Sequence, residues 1–106
     1  MGPTDVKQTI AISSTDTLQK YVGTTATDIG VAKIKAIQAQ SSAADGSVKI
    51  YDATDATTAS TLVFEAKWGI NDGDIITFYL PQNGIRCKTA MHAVLSSCDF
   101  FVATFD

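Results

Sequence analysis

The alternation of apolar and polar residues is the feature that most constrains how this chain folds. It is clearest over residues 47–53 and 61–68, where apolar and polar side chains largely take turns. Successive side chains of a β-strand point to opposite faces, so the alternation sorts them into a buried row and a solvated row. Both stretches are therefore predicted to be half-buried strands over a common core. In the second stretch the predicted inner row is Leu62, Phe64, Ala66 and Trp68.

Turn-forming residues separate the alternating stretches. These are Asp45-Gly46, Asp72-Gly73 and Asn83-Gly84, with Pro81 lacking the backbone donor that a strand ladder needs. Other strands are predicted over residues 6–14, 17–23, 74–80 and 84–89, with a final pair that meets around residues 96–99. This spacing predicts an all-β fold, a small antiparallel β-sandwich or jelly-roll-like domain of about eight strands.

Residues 31–40 fit two structures. Apolar residues recur at every third position, which, with Ala, Lys and Gln, favours a short helix that Asp28 would cap. The same residues also alternate as in a strand, with Lys33 and Lys35 on the face opposite Ile34. We predict a strand, because ten residues make only a short helix. The preceding residues 24–30 are small and polar and are predicted to form a loop.

The length predicts one domain. Residues 1–106 are expected to form a single β-sandwich domain with a short flexible N-terminal arm over about residues 1–8. A chain of this size loses roughly 65% of its extended surface on folding, which makes a small core. Extra stability from self-association or from docking on a larger body is therefore expected.

Charge and hydropathy argue against two classes of partner. The net charge is -3 and the basic residues never form a run, whereas binding to nucleic acid needs clustered cations. No stretch approaches the ~18 apolar residues of a membrane span, and the N-terminal residues do not resemble a signal peptide. We expect no nucleic-acid partner and no membrane partner, and synthesis in a cytoplasm without export by the usual route.

The chain offers no combination of residues that suits catalysis. His92 is the only histidine, so a zinc site lacks its ligands. Cys87 lies between Arg86 and Lys88, but in a strand these two side chains point away from it and do not activate the thiol. Residues 71–74 contain two aspartates, which turn formation explains better than calcium binding. We expect a protein that is not an enzyme and has no catalytic residue, no metal site and no cofactor.

The two cysteines leave two alternatives open. Cys87 and Cys98 do not have CxxC spacing, and adjacent strands would bring them within reach of a disulfide. The other alternative is a pair of buried, reduced thiols that behave as small apolar residues.

Without catalytic groups, contact with other molecules is the expected role. Trp, Tyr, Phe and Arg dominate the binding energy of protein interfaces. For the aromatic residues the alternative is core packing, with Trp68 closing one end of the sandwich. Residues 99–105 are apolar on both faces, so this strand is expected to be central or covered by a partner. The interface candidates are Pro3, Val6, Trp68, Tyr79, Arg86, Phe100 and Phe101.

Two segments carry a resemblance to a known class of protein. Val48, Ile50, Tyr51 and Asp52 form one, and Pro81, Gly84, Ile85 and Arg86 form the other. With the strands around them, over about residues 18–105, they resemble small virion proteins of tailed bacteriophages. Cys87 departs from that pattern, in which a large apolar residue is more usual.

The resemblance implies a β-sandwich or jelly-roll accessory protein on the virion. We expect a capsid decoration or cement protein that binds the capsid surface and stabilises the head, with the major capsid protein or copies of itself as partners. A head-to-tail or tail or fibre component is the alternative within this class. From a different class, a small carbohydrate-binding β-sandwich would use Trp68 and Tyr79 as stacking platforms.

Overall fold

The computed structural model describes residues 7–42, 45–69, 75–80 and 84–106. Within these residues the chain forms β-strands, one short 3-10 helix at Ala59–Thr61 and no α-helix. The prediction of an all-β fold is confirmed. The strands are β1 (Lys7–Gln8), β2 (Asp16–Thr17), β3 (Gln19–Val22), β4 (Thr25–Asp28), β5 (Ala32–Ser41), β6 (Ser47–Tyr51), β7 (Leu62–Lys67), β8 (Ile75–Tyr79), β9 (Ile85–Cys87), β10 (His92–Ser96) and β11 (Cys98–Phe105).

Nine of these strands form two layers, a five-stranded sheet and a four-stranded sheet. The first sheet has the order β1-β11-β5-β8, with β9 continuing the β8 edge along β5, and the second sheet has the order β2-β10-β6-β7. In both sheets the neighbouring strands are antiparallel. The strands pair in reverse order along the chain: β1 with β11, β2 with β10, β5 with β8 and β6 with β7. This is the pairing of one long hairpin that is folded over into two layers. This is the order of a jelly roll, as the sequence predicts.

The inner faces of the two sheets share one core. Ile37 and Phe101 of the first sheet and Val48 and Ile50 of the second are all fully buried and belong to the same cluster. Complete burial of such a side chain contributes about 1.5–3 kcal/mol. Phe64 of the second sheet and Phe78 of the first sheet meet edge to face with ring centroids 5.8 Å apart.

All of residues 31–40 except Val31 belong to strand β5, and the helical alternative is wrong. Strand β5 is central in the first sheet, with β11 on one side and β8 and β9 on the other. Buried and exposed residues alternate along it, except near Lys35, where the register with β11 skips a residue. A strand paired on both sides satisfies its backbone groups along its whole length, which outweighs the helix propensity of Ala, Lys and Gln.

The loop predicted over residues 24–30 is wrong for Thr25–Asp28, which form β4. Strand β4 pairs with β3 in a two-stranded hairpin, with Val22 opposite Thr25. Gly23 has a φ of 65°, a conformation that a two-residue hairpin turn requires. The threonines are β-branched and favour a strand once this turn has formed.

The inner row predicted for residues 61–68 is correct at Phe64, Ala66 and Trp68 but wrong at Leu62. Ile50 pairs with Phe64, whereas the next residue of β6 pairs with Leu62, so Val63 is an extra residue in β7. Such a bulge reverses the alternation. Leu62 is consequently 37% exposed, and Val63 packs against the core instead.

Two other expectations about strand pairing need correction. The last two strands, β10 and β11, both form, but they lie in different sheets and are not paired with each other. The strand expected over residues 6–14 is reduced to β1 and an isolated bridge between Ile12 and Phe101. Of the arm expected over residues 1–8, Lys7 and Gln8 therefore belong to the first sheet, and residues 1–6 lie outside the described part.

Candidate functional site

Three rows of side chains on the outer face of the first sheet carry no charge. The register places Gln8, Thr104, Ala36 and Tyr79 in one row across β1, β11, β5 and β8. The next two rows are Val102, Gln38, Thr77 and then Phe100, Gln40, Ile75. We call these three rows the neutral face, since none of their residues is charged.

Apolar groups are exposed on the neutral face. Tyr79 is 83% exposed and Ile75 is 57% exposed, both on the edge strand β8. A depression of about 260 Å³ lies beside Tyr79. Interface centres are depleted of charge and enriched in aromatic residues, so this surface has the composition of a docking face.

The outer face of the second sheet is charged by contrast. Glu65 lies 3.9 Å from Lys49 on the neighbouring strand and 3.6 Å from Lys67 on its own strand. These ion pairs are solvent-exposed, and such pairs contribute little to stability. They do keep this face hydrated, so the two sides of the sandwich differ in kind.

Of the predicted interface residues, the structure brings Tyr79, Phe100 and Arg86 to the same side of the molecule. Tyr79 and Phe100 are on the neutral face itself. Arg86 is exposed on β9 directly opposite Lys33, beyond one end of the neutral face. A basic margin of this kind is typical of the polar rim around an interface.

Two predicted interface residues belong to the core instead. Phe101 is fully buried at the centre of the first sheet, so its side chain does not reach a partner. Trp68 is partly buried against the core, and its indole ring covers Gly46 so closely that a Cβ atom there would overlap it. Both positions agree with the core-packing alternative. Pro3, Val6 and the turn predicted at residues 71–74 lie outside the described residues.

The cysteines are buried thiols that are not bonded to each other. Burial raises the pKa of the Cys87 thiol to about 12, and the negative charge of Asp52 adds to this. Burial also raises the pKa of the Cys98 thiol, although backbone hydrogen bonds partly oppose the effect. A thiol with so high a pKa is almost entirely protonated at neutral pH and is a poor nucleophile.

Both thiols are therefore expected to react with a soluble aromatic disulfide at least about tenfold more slowly in the folded protein than in urea. The reaction is followed by absorbance at neutral pH. Cys87→Ser and Cys98→Ser each leave one thiol, which separates the two rates. Equal rates in the folded and the unfolded protein would contradict the assigned burial.

The His92 side chain makes a hydrogen bond within the second sheet. Its Nδ1 lies 3.0 Å from the Thr17 hydroxyl across the β10–β2 pair. In the described part of the chain, no three His, Cys, Asp or Glu side chains are close enough to hold a metal ion. That part also contains no helix with the length and apolarity needed to cross a membrane.

Asp52, which belongs to the first of the two segments that carry the resemblance, binds the turn that follows the second segment. One of its carboxylate oxygens accepts hydrogen bonds from the backbone N–H groups of Lys88, Thr89 and Ala90 at 3.0, 2.7 and 3.3 Å. The other oxygen accepts from Lys88 at 3.0 Å. Asp52 thereby ties the end of β6 to the turn that follows β9, a role that the sequence alone does not show.

No protein-family model matches the chain, and comparisons with curated proteins and with solved structures also found no match.

Proposed function

We propose that this chain is a non-enzymatic structural subunit of a tailed-bacteriophage virion, most specifically a decoration or cement protein of the capsid. The neutral face is the observation that carries the proposal. It exposes Tyr79 and Ile75 on a surface without charge, while the opposite outer face carries the ion pairs of Glu65.

The jelly roll is consistent with this role but does not select it. Viral capsid proteins use the fold, as do lectins and enzymes, so the surface has to carry the argument. A rigid sandwich with one uncharged side suits docking on a larger, flat assembly. A contact of about 800 Å² per partner supports specific binding, and repetition over a symmetric shell increases the avidity.

The carbohydrate-binding alternative requires Trp68 and Tyr79 as surfaces on which a sugar stacks. Tyr79 is on the outer face of the first sheet, whereas Trp68 follows β7 of the second sheet and packs against the core. The two rings therefore do not form one stacking surface. The docking proposal needs only the side chains of the neutral face.

The proposal predicts that the protein co-sediments with heads in a density gradient of lysate from the host that produces it. Thr77→Arg places a charge on the neutral face at an exposed position of β8 and is expected to reduce the head-bound fraction at least about tenfold. Ser96→Arg, at an exposed position of the second sheet, is the matched control and is expected to bind as the unmodified protein does.

Recovery of the unmodified protein only at the top of the gradient would refute a virion role. Recovery with tails instead of heads would replace the capsid assignment with a tail component. Equal loss for both arginine variants would show that the neutral face is not the docking surface.

A further inference from the structure

Strand β1 and the β3–β4 hairpin diverge from one point of contact. The Ile10 N–H donates to the Gln19 carbonyl at 2.8 Å. Beyond this bond the two chain segments separate around a cleft of about 520 Å³, lined by residues 7–10 and 20–22. Two strand edges therefore face each other across open space.

The β1 edge directs backbone groups into this cleft that have no hydrogen-bond partner among the described residues. The Thr9 N–H donates to the Ala103 carbonyl at 2.8 Å, so the backbone of Thr9 faces β11. Backbone groups alternate in direction along an antiparallel strand, so those of Gln8 and Ile10 face the other way. The bond from Ile10 to Gln19 shows this direction.

The β3 edge is complementary to it. Val22 and Thr25 flank the two-residue turn and form the hydrogen-bonded pair of the hairpin. By the same alternation, the backbone groups of Tyr21 face away from β4 and toward Gln8. Within the described residues, no backbone hydrogen bond spans the cleft beyond Ile10.

The side chains around the cleft indicate the chemistry of an occupant. Among the residues that the structure describes, Lys7 and Lys20 are the charged ones that line the cleft, and no acidic residue of this set does. On the same hairpin, Tyr21 is 65% exposed and Val22 is 58% exposed. A two-stranded hairpin is barely stable by itself, and an added strand would cover these apolar groups.

We propose that the cleft binds an extended acidic segment of a partner protein, which inserts as an added strand between β1 and β3. Free backbone groups supply hydrogen bonds as in other cases of β-augmentation. The two lysines select carboxylates on alternate positions of the inserted strand. This inference rests on the two strand edges alone and stands separately from the proposed virion function.

The test is titration of the full chain, labelled with ¹⁵N, with a peptide of roughly ten residues that alternates valine and glutamate. Shifts of backbone resonances are expected at residues 7–10 and 19–22. Gln8→Pro removes an N–H that faces the cleft without removing a bond to β11, and it should weaken binding at least about tenfold. Gln8→Ala keeps the N–H and should bind within about twofold of the unmodified protein.

A charge series completes the test. Lys7→Gln combined with Lys20→Gln should abolish the preference for the glutamate peptide over a valine–lysine peptide, whereas Lys33→Gln combined with Arg86→Gln should preserve it. An absence of shifts, shifts confined to residues 75–79, or equal binding by Gln8→Pro and Gln8→Ala would overturn the proposal. Dimerisation of the chain that Gln8→Pro abolishes would assign the cleft to a second copy and also overturn it.

Discussion

Gly84→Ala is expected to destabilise the protein by about 3 kcal/mol, measured as the free energy of unfolding in urea. Gly84 has a φ of 81°, where an L-residue costs roughly 1–2 kcal/mol. Gly84 also directly precedes β9, which pairs with β5. A Cβ atom at this position would overlap the carbonyl oxygen of Ile34. Since that oxygen belongs to the backbone of a central strand, relief requires the strands to separate.

Two other glycines separate these contributions. Gly23 has a φ of 65° but open space around its Cα, so Gly23→Ala reports the conformational cost alone. Gly30 has open space and no positive φ, so Gly30→Ala should leave stability unchanged or raise it by about 0.5 kcal/mol. If Gly84→Ala unfolds at the same urea concentration as Gly30→Ala, this would contradict the close approach of the Gly84 Cα to the Ile34 carbonyl oxygen.

Asp52→Ala is expected to cost about 2 kcal/mol at neutral pH, because three backbone N–H groups lose a charged acceptor. This loss of unfolding free energy is at the lower part of the range for hydrogen bonds to a charged group. Asp52 is only partly buried, so water replaces some of the lost hydrogen bonds. Asp55→Ala is the matched control. Its carboxylate accepts hydrogen bonds from Thr57 in the same exposed loop and holds no distant segments together.

The effect of Asp52 should depend on pH. Partial desolvation raises the pKa of its carboxyl, but the backbone hydrogen bonds from Lys88, Thr89 and Ala90 and the Lys88 charge outweigh this and bring the pKa below its usual value. A depressed pKa in the folded state stabilises the protein above the unfolded-state pKa of about 3.9. This stabilisation is lost as the pH falls through the folded-state pKa.

The difference in unfolding free energy between the unmodified protein and Asp52→Ala should therefore shrink from about pH 7 to about pH 2.5. Chemical denaturation at several pH values measures it. A difference that stays constant over this range would mean that the carboxylate charge does not hold the turn at residues 88–90.

Local patterning was sufficient to predict the strands of the core. Phe64 and Ala66 pack against the core as the period of two requires, and the turn at Gly84 has the positive φ that its sequence suggests. The period of two did not orient Phe101, because residues 99–105 are apolar on both faces. The bulge at Val63 was not predictable, because it arises from the register between β6 and β7. Nothing in residues 61–68 alone encodes that register.

The candidate site was less predictable than the core. Tyr79 was identified from its residue type, but the neutral face consists of residues from four strands that are distant in sequence. Its glutamines and threonines carry no distinctive local signal. Hairpin β3–β4 was missed because small polar residues such as Thr25 and Thr27 are as common in loops as in exposed strands.

The pairing of the N-terminal half of the chain with the C-terminal half has a consequence for when the neutral face can form. Lys7 lies opposite Phe105, and the strand that ends at Phe105 separates β1 from β5. A ribosome must therefore synthesise nearly the whole described chain before the first layer can close. The neutral face therefore cannot form on the nascent polypeptide before β11 has been made, and any binding through this face has to follow synthesis of that strand.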